Sequence, residues 1–471
     1  CIKIWYGLQL IDTYMPWTNM VTVLEHCRAA PPPGTVAAEQ SLPLTFFDLP
    51  WLHFPRVQQL LFYEFPHPKT HFIDTLIPNL KHYFPLAGNL IIRPDSIRPE
   101  IRYMDGDSVS LIFAESSSSN DHDFNHLTGN HARNAEEFYP LVPQMPQVTN
   151  VSDTLVLVPL LALQVTLFPN FGICLGITYH HVAADANTLI RFLKSWASIA
   201  KLGGDDQAFL ANGSLHPFYG RTVQRKDPNG LETSLWSKAR EIQFDEGQLQ
   251  YPDLTNKVRA TFVMRQAHVQ RLKKLVSARR PTLLHVSTFT VTCAYVWVCM
   301  VRSRGDEVAD EDELEHFTWS ADCRGARFDP PTPETYFGNC LTGCMVTAKN
   351  SQLVGEEGFL TATELIGEAI SKRAQNEEGV LKVMETWLLN YKEVKWNRMV
   401  SVAGSPRLGF YSTNFGWGMP IKSEIISIDG TGAFSLTECR DSEGDVEIGL
   451  SFPKIQMDAF ATIFAHDLEI I

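Results

Sequence analysis

Apolar residues return along this chain in two rhythms. Short continuous or alternating runs at 41–48, 58–65, 154–168 and 172–179 predict strands, and apolar positions at helical spacing over 71–82, 186–199, 267–278, 284–302, 359–376 and 379–390 predict helices. The two kinds are mixed from end to end, which predicts α/β layers. No internal repeat or long low-complexity tract interrupts them. The polar stretch from about Gly203 to Ser234 reads as a crossover between two bodies, and Gly305 to Glu315 as an acidic surface loop. The uncharged run Thr282 to Val301 is long enough to span a membrane. It contains His285, Ser287, Thr288, Thr290 and Thr292, so it reads better as a helix buried between layers.

Composition narrows the picture. With 471 residues, 44% of them hydrophobic, the chain is too long for one ordinary core and predicts two domains with a cleft between them. A net charge of -13 argues against a nucleic-acid partner, which needs a basic face. Local basic residues must then hold any phosphorylated ligand. Nine scattered cysteines, an odd number mostly in apolar surroundings, are the usage of a reducing compartment, so a soluble cytoplasmic protein is expected. Lys3 and Asp12 break any apolar core a secretion signal would need, and residues 1–19 read as a non-native or disordered extension before Met20.

Chemistry concentrates first in Tyr179-His180-His181-Val182-Ala183-Ala184-Asp185, where the strand-like run 172–179 gives way to a helix. An imidazole on such a rigid corner can act as general base near neutral pH. Other readings exist. The His-His pair can be filling at a strand end, and Asp185 can be the N-cap of the helix that begins at Ala186. His180, His181 and Asp185 could ligate a metal, but zinc takes three or four protein ligands and no close-set cluster supplies the rest, so no metal is expected. A second segment, Asn414-Phe415-Gly416-Trp417-Gly418-Met419-Pro420, alternates glycine with large aromatics and reads as a close-packed turn. A third, Tyr336-Phe337-Gly338-Asn339-Cys340, follows Ala321-Asp322-Cys323-Arg324-Gly325.

In this order and at these separations the three segments resemble the plant BAHD acyltransferases, with their His-x-x-x-Asp and late Asp-Phe-Gly-Trp-Gly. Tyr336 to Cys340, together with the early run Ser41 to His53, is similar to the anthocyanin and flavonoid-glycoside branch, and most like its anthocyanin 5-aromatic acyltransferases. The resemblance runs from Met20 to the C-terminus. It implies two similar-sized domains of the chloramphenicol acetyltransferase type, each a mixed sheet flanked by helices, with a solvent channel between them. It divides the chain into a first domain over 20–215 plus roughly 416–440, a crossover over 216–234, and a second domain over 235–415 plus 441–471.

For function, the resemblance implies a monomer that transfers a hydroxycinnamoyl group from acyl-CoA to a sugar hydroxyl of an anthocyanin or related flavonoid glucoside. No cofactor is held permanently; acyl-CoA is the co-substrate. His181 is the expected base, Asp185 a structural support paired with Arg324, and Trp417 or a nearby backbone N–H a candidate oxyanion donor. Lys257 and Arg259 are candidate CoA ligands along with the hydroxyls of Ser287 and Thr288, although a lone Lys-x-Arg is also a common solvated pair. Arg324, Tyr336, Gly338, Asn339, Asn414, Gly416 and Gly418 form the structural motifs. Two positions depart from the family pattern: Asn414 and Met419 stand for its aspartate and lysine. The first helix is also about eight residues short between Leu80 and Lys81. These changes keep open a noncatalytic binding protein beside the enzyme. The His-His-x-x-x-Asp arrangement is also shared by carrier-protein-dependent condensation enzymes. The basic residue that some malonyl-using relatives carry two positions past the motif aspartate is Asn187 here, which points to an aromatic donor over a malonyl one.

Overall fold

The computed structural model describes residues 20–64, 72–93, 98–117, 121–152, 155–203, 215–221, 230–241, 252–305, 312–372, 377–390 and 394–470. The expected extension 1–19, much of the crossover and most of the acidic loop lie outside them.

Three sheets organise the chain. The first runs β1 (Val21–Ala29), β6 (Val109–Ser116), β10 (Leu161–Phe168), β11 (Gly172–Tyr179), β3 (Val57–Glu64), β16 (Lys422–Ile425). Its pairs are antiparallel except for β6 with β10. A smaller antiparallel sheet holds β2 (Glu39–Pro43), β5 (Glu100–Met104), β4 (Asn89–Ile92), β9 (Leu155–Pro159) and β8 (Thr149–Ser152). The third runs β14 (Leu341–Lys349), β13 (Leu314–Asp322), β15 (Met399–Ala403), β17 (Ala433–Glu438), β18 (Val446–Pro453), β12 (Lys257–Met264), β7 (Arg133–Asn134), with β15 parallel to both neighbours. The helices are α1 (Phe72–His82), α2 (Asp121–Thr128), α3 (Ala186–Lys201), α4 (Leu231–Glu241), α5 (Gln266–Arg279), α6 (Thr288–Ser303), α7 (Asn350–Val354), α8 (Gly358–Lys372), α9 (Glu377–Asn390) and α10 (Lys454–Ile470). This is the mixed α/β two-domain architecture the sequence predicts.

The pattern explains the elements that matter most. All eight residues of β11 are buried, because the strand lies between β10 and β3 with both faces covered; hence its unbroken apolar run. In α3, Leu189, Ile190, Phe192, Leu193, Trp196, Ala197 and Ile199 recur at helical spacing and are buried. α6 buries 13 of its 16 residues, so the part of the run from Thr288 to Val301 is an interior helix, whereas Leu284 before it is exposed. Among the described residues no helix is long and apolar enough to cross a membrane.

Several boundaries move. The predicted strand at 41–48 ends at Pro43, because the Asp48 carboxylate accepts the Thr45 N–H and hydroxyl at 2.9 and 2.8 Å and turns the chain. The run 154–168 divides into β9 and β10, which belong to different sheets. The helix expected from 284 starts at Thr288, where Ser287 accepts the Thr290 N–H at 3.1 Å as its cap. The segment 416–440, assigned above to the first domain, divides as well. β16 joins the first sheet, whereas β17 pairs in parallel with β15 and antiparallel with β18 in the other.

Candidate functional site

His181 stands just past the end of β11. The His180 N–H extends the ladder by donating to the Leu160 carbonyl at 2.9 Å, and the chain then turns through Ala183 N–H to His180 O at 3.0 Å. The two histidines part here. His180 is 2% exposed, and its Nδ1 accepts the Val182 N–H at 3.3 Å. Burial, and then the nearby Arg56 guanidinium, pushes it well below the ordinary histidine value. His181 is only half-buried and presents its ring to the aromatic wall beside it. Trp51 stacks on that ring face to face, centroids 3.9 Å apart and planes 6° apart, and Phe54 meets it edge-on at 5.2 Å. Trp387 of α9 meets Trp51 edge-on at 5.2 Å. Burial pushes His181 down to about 4, while Asp185 and Asn339 pull weakly the other way, so the imidazole is neutral at physiological pH and able to accept a proton.

Asp185 faces away from that ring. One oxygen accepts the Thr188 N–H at 2.9 Å and caps α3. Both oxygens also receive Arg324, whose Nη1 and Nη2 donate at 2.8 and 3.1 Å, and Cys340 N–H adds a bond at 3.1 Å. Arg324 further donates to the carbonyls of Tyr336 and Gly338, each at 3.1 Å. Asp185 thus caps α3 and pairs with Arg324 at once.

Asn339 links a third segment to this corner. Its Nδ2 donates to the carbonyls of His181 and Val182 at 2.9 and 3.2 Å and to the Asp48 carboxylate at 3.2 Å. Asp48 also accepts Arg221 at 3.1 Å, and Arg221 donates to the Tyr336 hydroxyl at 2.5 Å. Gly338 has φ +117°, and a Cβ there would lie 2.8 Å from Arg221 Nη1, so this position admits only glycine. The run Ser41 to His53, the base corner and Tyr336 to Cys340 thus meet in one hydrogen-bonded knot.

Other expected residues lie elsewhere. Trp417 stacks on Phe415 at 5.1 Å, Phe415 sits edge-on to Trp196 at 5.0 Å, and a Cβ on Gly416 would touch Lys201. Trp196 and Lys201 are 11 and 16 residues past Asp185, about 16 and 24 Å along the helix axis. This corrects the expectation for Trp417: it packs against the far end of α3, away from the base, and cannot donate to an oxyanion formed there. Asn414 shapes that turn by accepting the Gly416 and Gly418 N–H groups at 2.8 and 3.4 Å.

Arg259 is corrected too. It is 1% exposed, bonds Glu424 at 3.1 Å, the Ile425 carbonyl at 2.7 Å and the Asp429 carboxylate, and so helps tie β12 to the returning β16. A guanidinium enclosed in this way has no face for a phosphate. Lys257 donates to the Asp429 carbonyl at 2.8 Å. Ser287 caps α6, and Thr288 accepts Lys273 at 3.0 Å. The structure brings none of these four to His181 through any contact. Sequence reasoning overlooked Asp48, Trp51, Phe54, Arg221 and Trp387; the first two lie in the run Ser41 to His53 and Phe54 directly follows it, where an acid and a large aromatic beside a proline were the available signal.

Known proteins are similar to this chain over nearly its whole length. The model of the Transferase family matches residues 20–467. Malonyl-coenzyme A:anthocyanin 3-O-glucoside-6''-O-malonyltransferase of Dahlia pinnata is 46% identical over 463 residues, covering 95% of this chain and 98% of its own. Phenolic glucoside malonyltransferase 1 of Nicotiana tabacum is 46% identical over 466 residues, with 96% and 100% covered. Coumaroyl-CoA:anthocyanidin 3-O-glucoside-6''-O-coumaroyltransferase 1 of Arabidopsis thaliana is 33% identical over 470 residues, with 95% and 97% covered. Among solved structures, vinorine synthase matches in fold with a TM-score of 0.67 at 18% identity, covering 93% of this chain and 96% of that one.

Proposed function

We propose, from the premise that this chain belongs to the Transferase family and is an acyltransferase, that it moves a malonyl group from malonyl-CoA to a sugar hydroxyl of an anthocyanin or related phenolic glucoside. The observation that carries the reading is a neutral, partly open His181 on a corner held by Arg324 and Asn339. His181 takes the proton of the sugar hydroxyl as its oxygen attacks the thioester carbon. Collapse of the tetrahedral intermediate breaks the C–S bond, and the proton passes to the departing thiolate. The acyl group passes directly between substrates, without an acyl-enzyme. The donor assignment rests on two malonyltransferases at 46% identity, against 33% for the coumaroyltransferase.

A second reading, hydroxycinnamoyl transfer, is favoured by one specific observation. Asn187 donates to the Asp322 carboxylate at 3.2 Å and accepts the Arg191 Nε–H at 3.1 Å, so position 187 supplies no charge of its own to a malonyl carboxylate. Trp51, Phe54 and Trp387 also form an aromatic wall suited to a planar acyl group. Direct competition between malonyl-CoA and coumaroyl-CoA on an anthocyanin glucoside, read by product mass, separates the two. A malonylated product in excess supports the first reading, and a coumaroylated one replaces it with the second.

A further inference from the structure

Trp417 lies at the far end of α3, so a donor for the charge that develops on the thioester oxygen has to stand nearer His181. Among the described residues the indole of Trp51 stacks on it. Its Nε1–H is enclosed without a hydrogen-bond partner, although the residue is only 6% exposed and stacks directly on His181. An enclosed N–H left unbonded costs folding free energy, and in a native protein it calls for an explanation. Both situations occur elsewhere in the chain: Trp196 Nε1 donates to Thr75 Oγ1 at 3.0 Å, whereas Trp297 Nε1 is enclosed without a partner inside α6, so what sets Trp51 apart is its place on the face of His181. We propose that the Trp51 indole N–H is the oxyanion donor of this enzyme, binding the carbonyl oxygen of the acyl donor while His181 holds the attacking hydroxyl. The assignment rests on the acyltransfer reading above.

The stacking sets the two groups side by side. Indole and imidazole lie in parallel planes 6° apart, one ring spacing from each other. During attack the C–O bond forms, the carbonyl π pair moves onto oxygen and is met by the indole N–H, and the hydroxyl proton goes to His181. On collapse the pair returns, the C–S bond breaks, and the thiolate takes the proton. The N–H is engaged most strongly when the oxygen carries full charge, which is the condition for catalysis. Phe54 lies edge-on to both rings and is 39% exposed, so on its side the stacked pair stands next to solvent.

The test removes the N–H and keeps the aromatic face. Trp51→Phe, and in parallel replacement of Trp51 by benzothienylalanine, which has the shape of tryptophan without a donor, are compared with the wild type under saturating malonyl-CoA and anthocyanin glucoside. Turnover should fall on the order of 100-fold in both, as for loss of one oxyanion donor. KM for each substrate should stay within about threefold, and the melting temperature should be equal or higher because no unbonded N–H remains. Turnover above a third of wild type in the benzothienylalanine protein overturns the assignment, even if Trp51→Phe misfolds. So does a loss that appears in KM or in melting temperature instead of in kcat. If the wild type itself releases no thiol from malonyl-CoA or coumaroyl-CoA with the glucoside, the functional reading fails first and the role of Trp51 falls with it.

Discussion

Arg324 grips both carboxylate oxygens of Asp185, at 2.8 and 3.1 Å, with each residue's side chain 1% exposed. The pair joins the N-terminus of α3 to the loop after β13, and so sets where the turn carrying His181 can stand. Burial works against the charge on Arg324, but Asp185 and then Asp322 outweigh it and hold the guanidinium above its ordinary value.

Removing one partner should therefore be costly. Asp185→Asn preserves the cap on α3 but leaves Arg324 with only the part-exposed Asp322 as counter-charge. A loss of about 3 kcal/mol is expected, the lower end for an opened buried pair. Urea unfolding measures it, and a loss below about 1 kcal/mol would show that the pair does not hold the corner.

His181→Ala should lower kcat by about two to four orders of magnitude while CoA binding, measured by calorimetry, stays intact. His180→Ala should lower kcat far less, because His180 turns inward to the Val182 N–H. Near-normal turnover in His181→Ala would remove the base from the mechanism.

The pH profile has a definite sign. The active form of His181 is neutral, and burial brings its value from 6.5 to about 4. kcat/KM on the acid side should hold level through pH 6.5 and fall only as pH approaches about 4. An acid limb centred near 6.5 would contradict the burial of the ring. Stability follows in the same direction. The unfolded chain binds a proton near 6.5 and the folded one near 4, so the contribution of neutral His181 is fully present above 6.5 and is lost as pH falls from 6.5 to about 4. His180, also pushed down, adds to that loss.

Asn414→Asp should raise stability modestly, by up to about 1 kcal/mol. A carboxylate accepts the Gly416 and Gly418 N–H groups more strongly than an amide oxygen does. Gly416 and Gly418 have φ +106° and +123°, so the turn they make is already set by glycine and needs only the acceptor. Turnover should change less than threefold, because the turn packs against the far end of α3. A hundredfold gain in activity without a change in melting temperature would instead place residue 414 in the chemistry.

Periodicity alone determined much of this protein. β11, α3 and α6 are legible because each is apolar in the rhythm of its own backbone, and that rhythm depends only on local geometry. The spacing from His181 to Asp185 was legible for the same reason: strand, turn and cap are consecutive in the chain. What the sequence could not decide was which distant segments meet. Asp48 and Asn339 lie 291 positions apart and bond at 3.0 and 3.2 Å. Arg259, a basic residue beside Lys257 on paper, is consumed by Glu424 and Asp429, more than 160 positions away. Trp417 and Trp51 look equally suited to donate a hydrogen bond until the sheets and α3 place one at the far end of the helix and the other on the face of His181. Partners of this kind are selected by burial and charge pairing across the whole fold, and those forces leave no period in the chain for a reader to find.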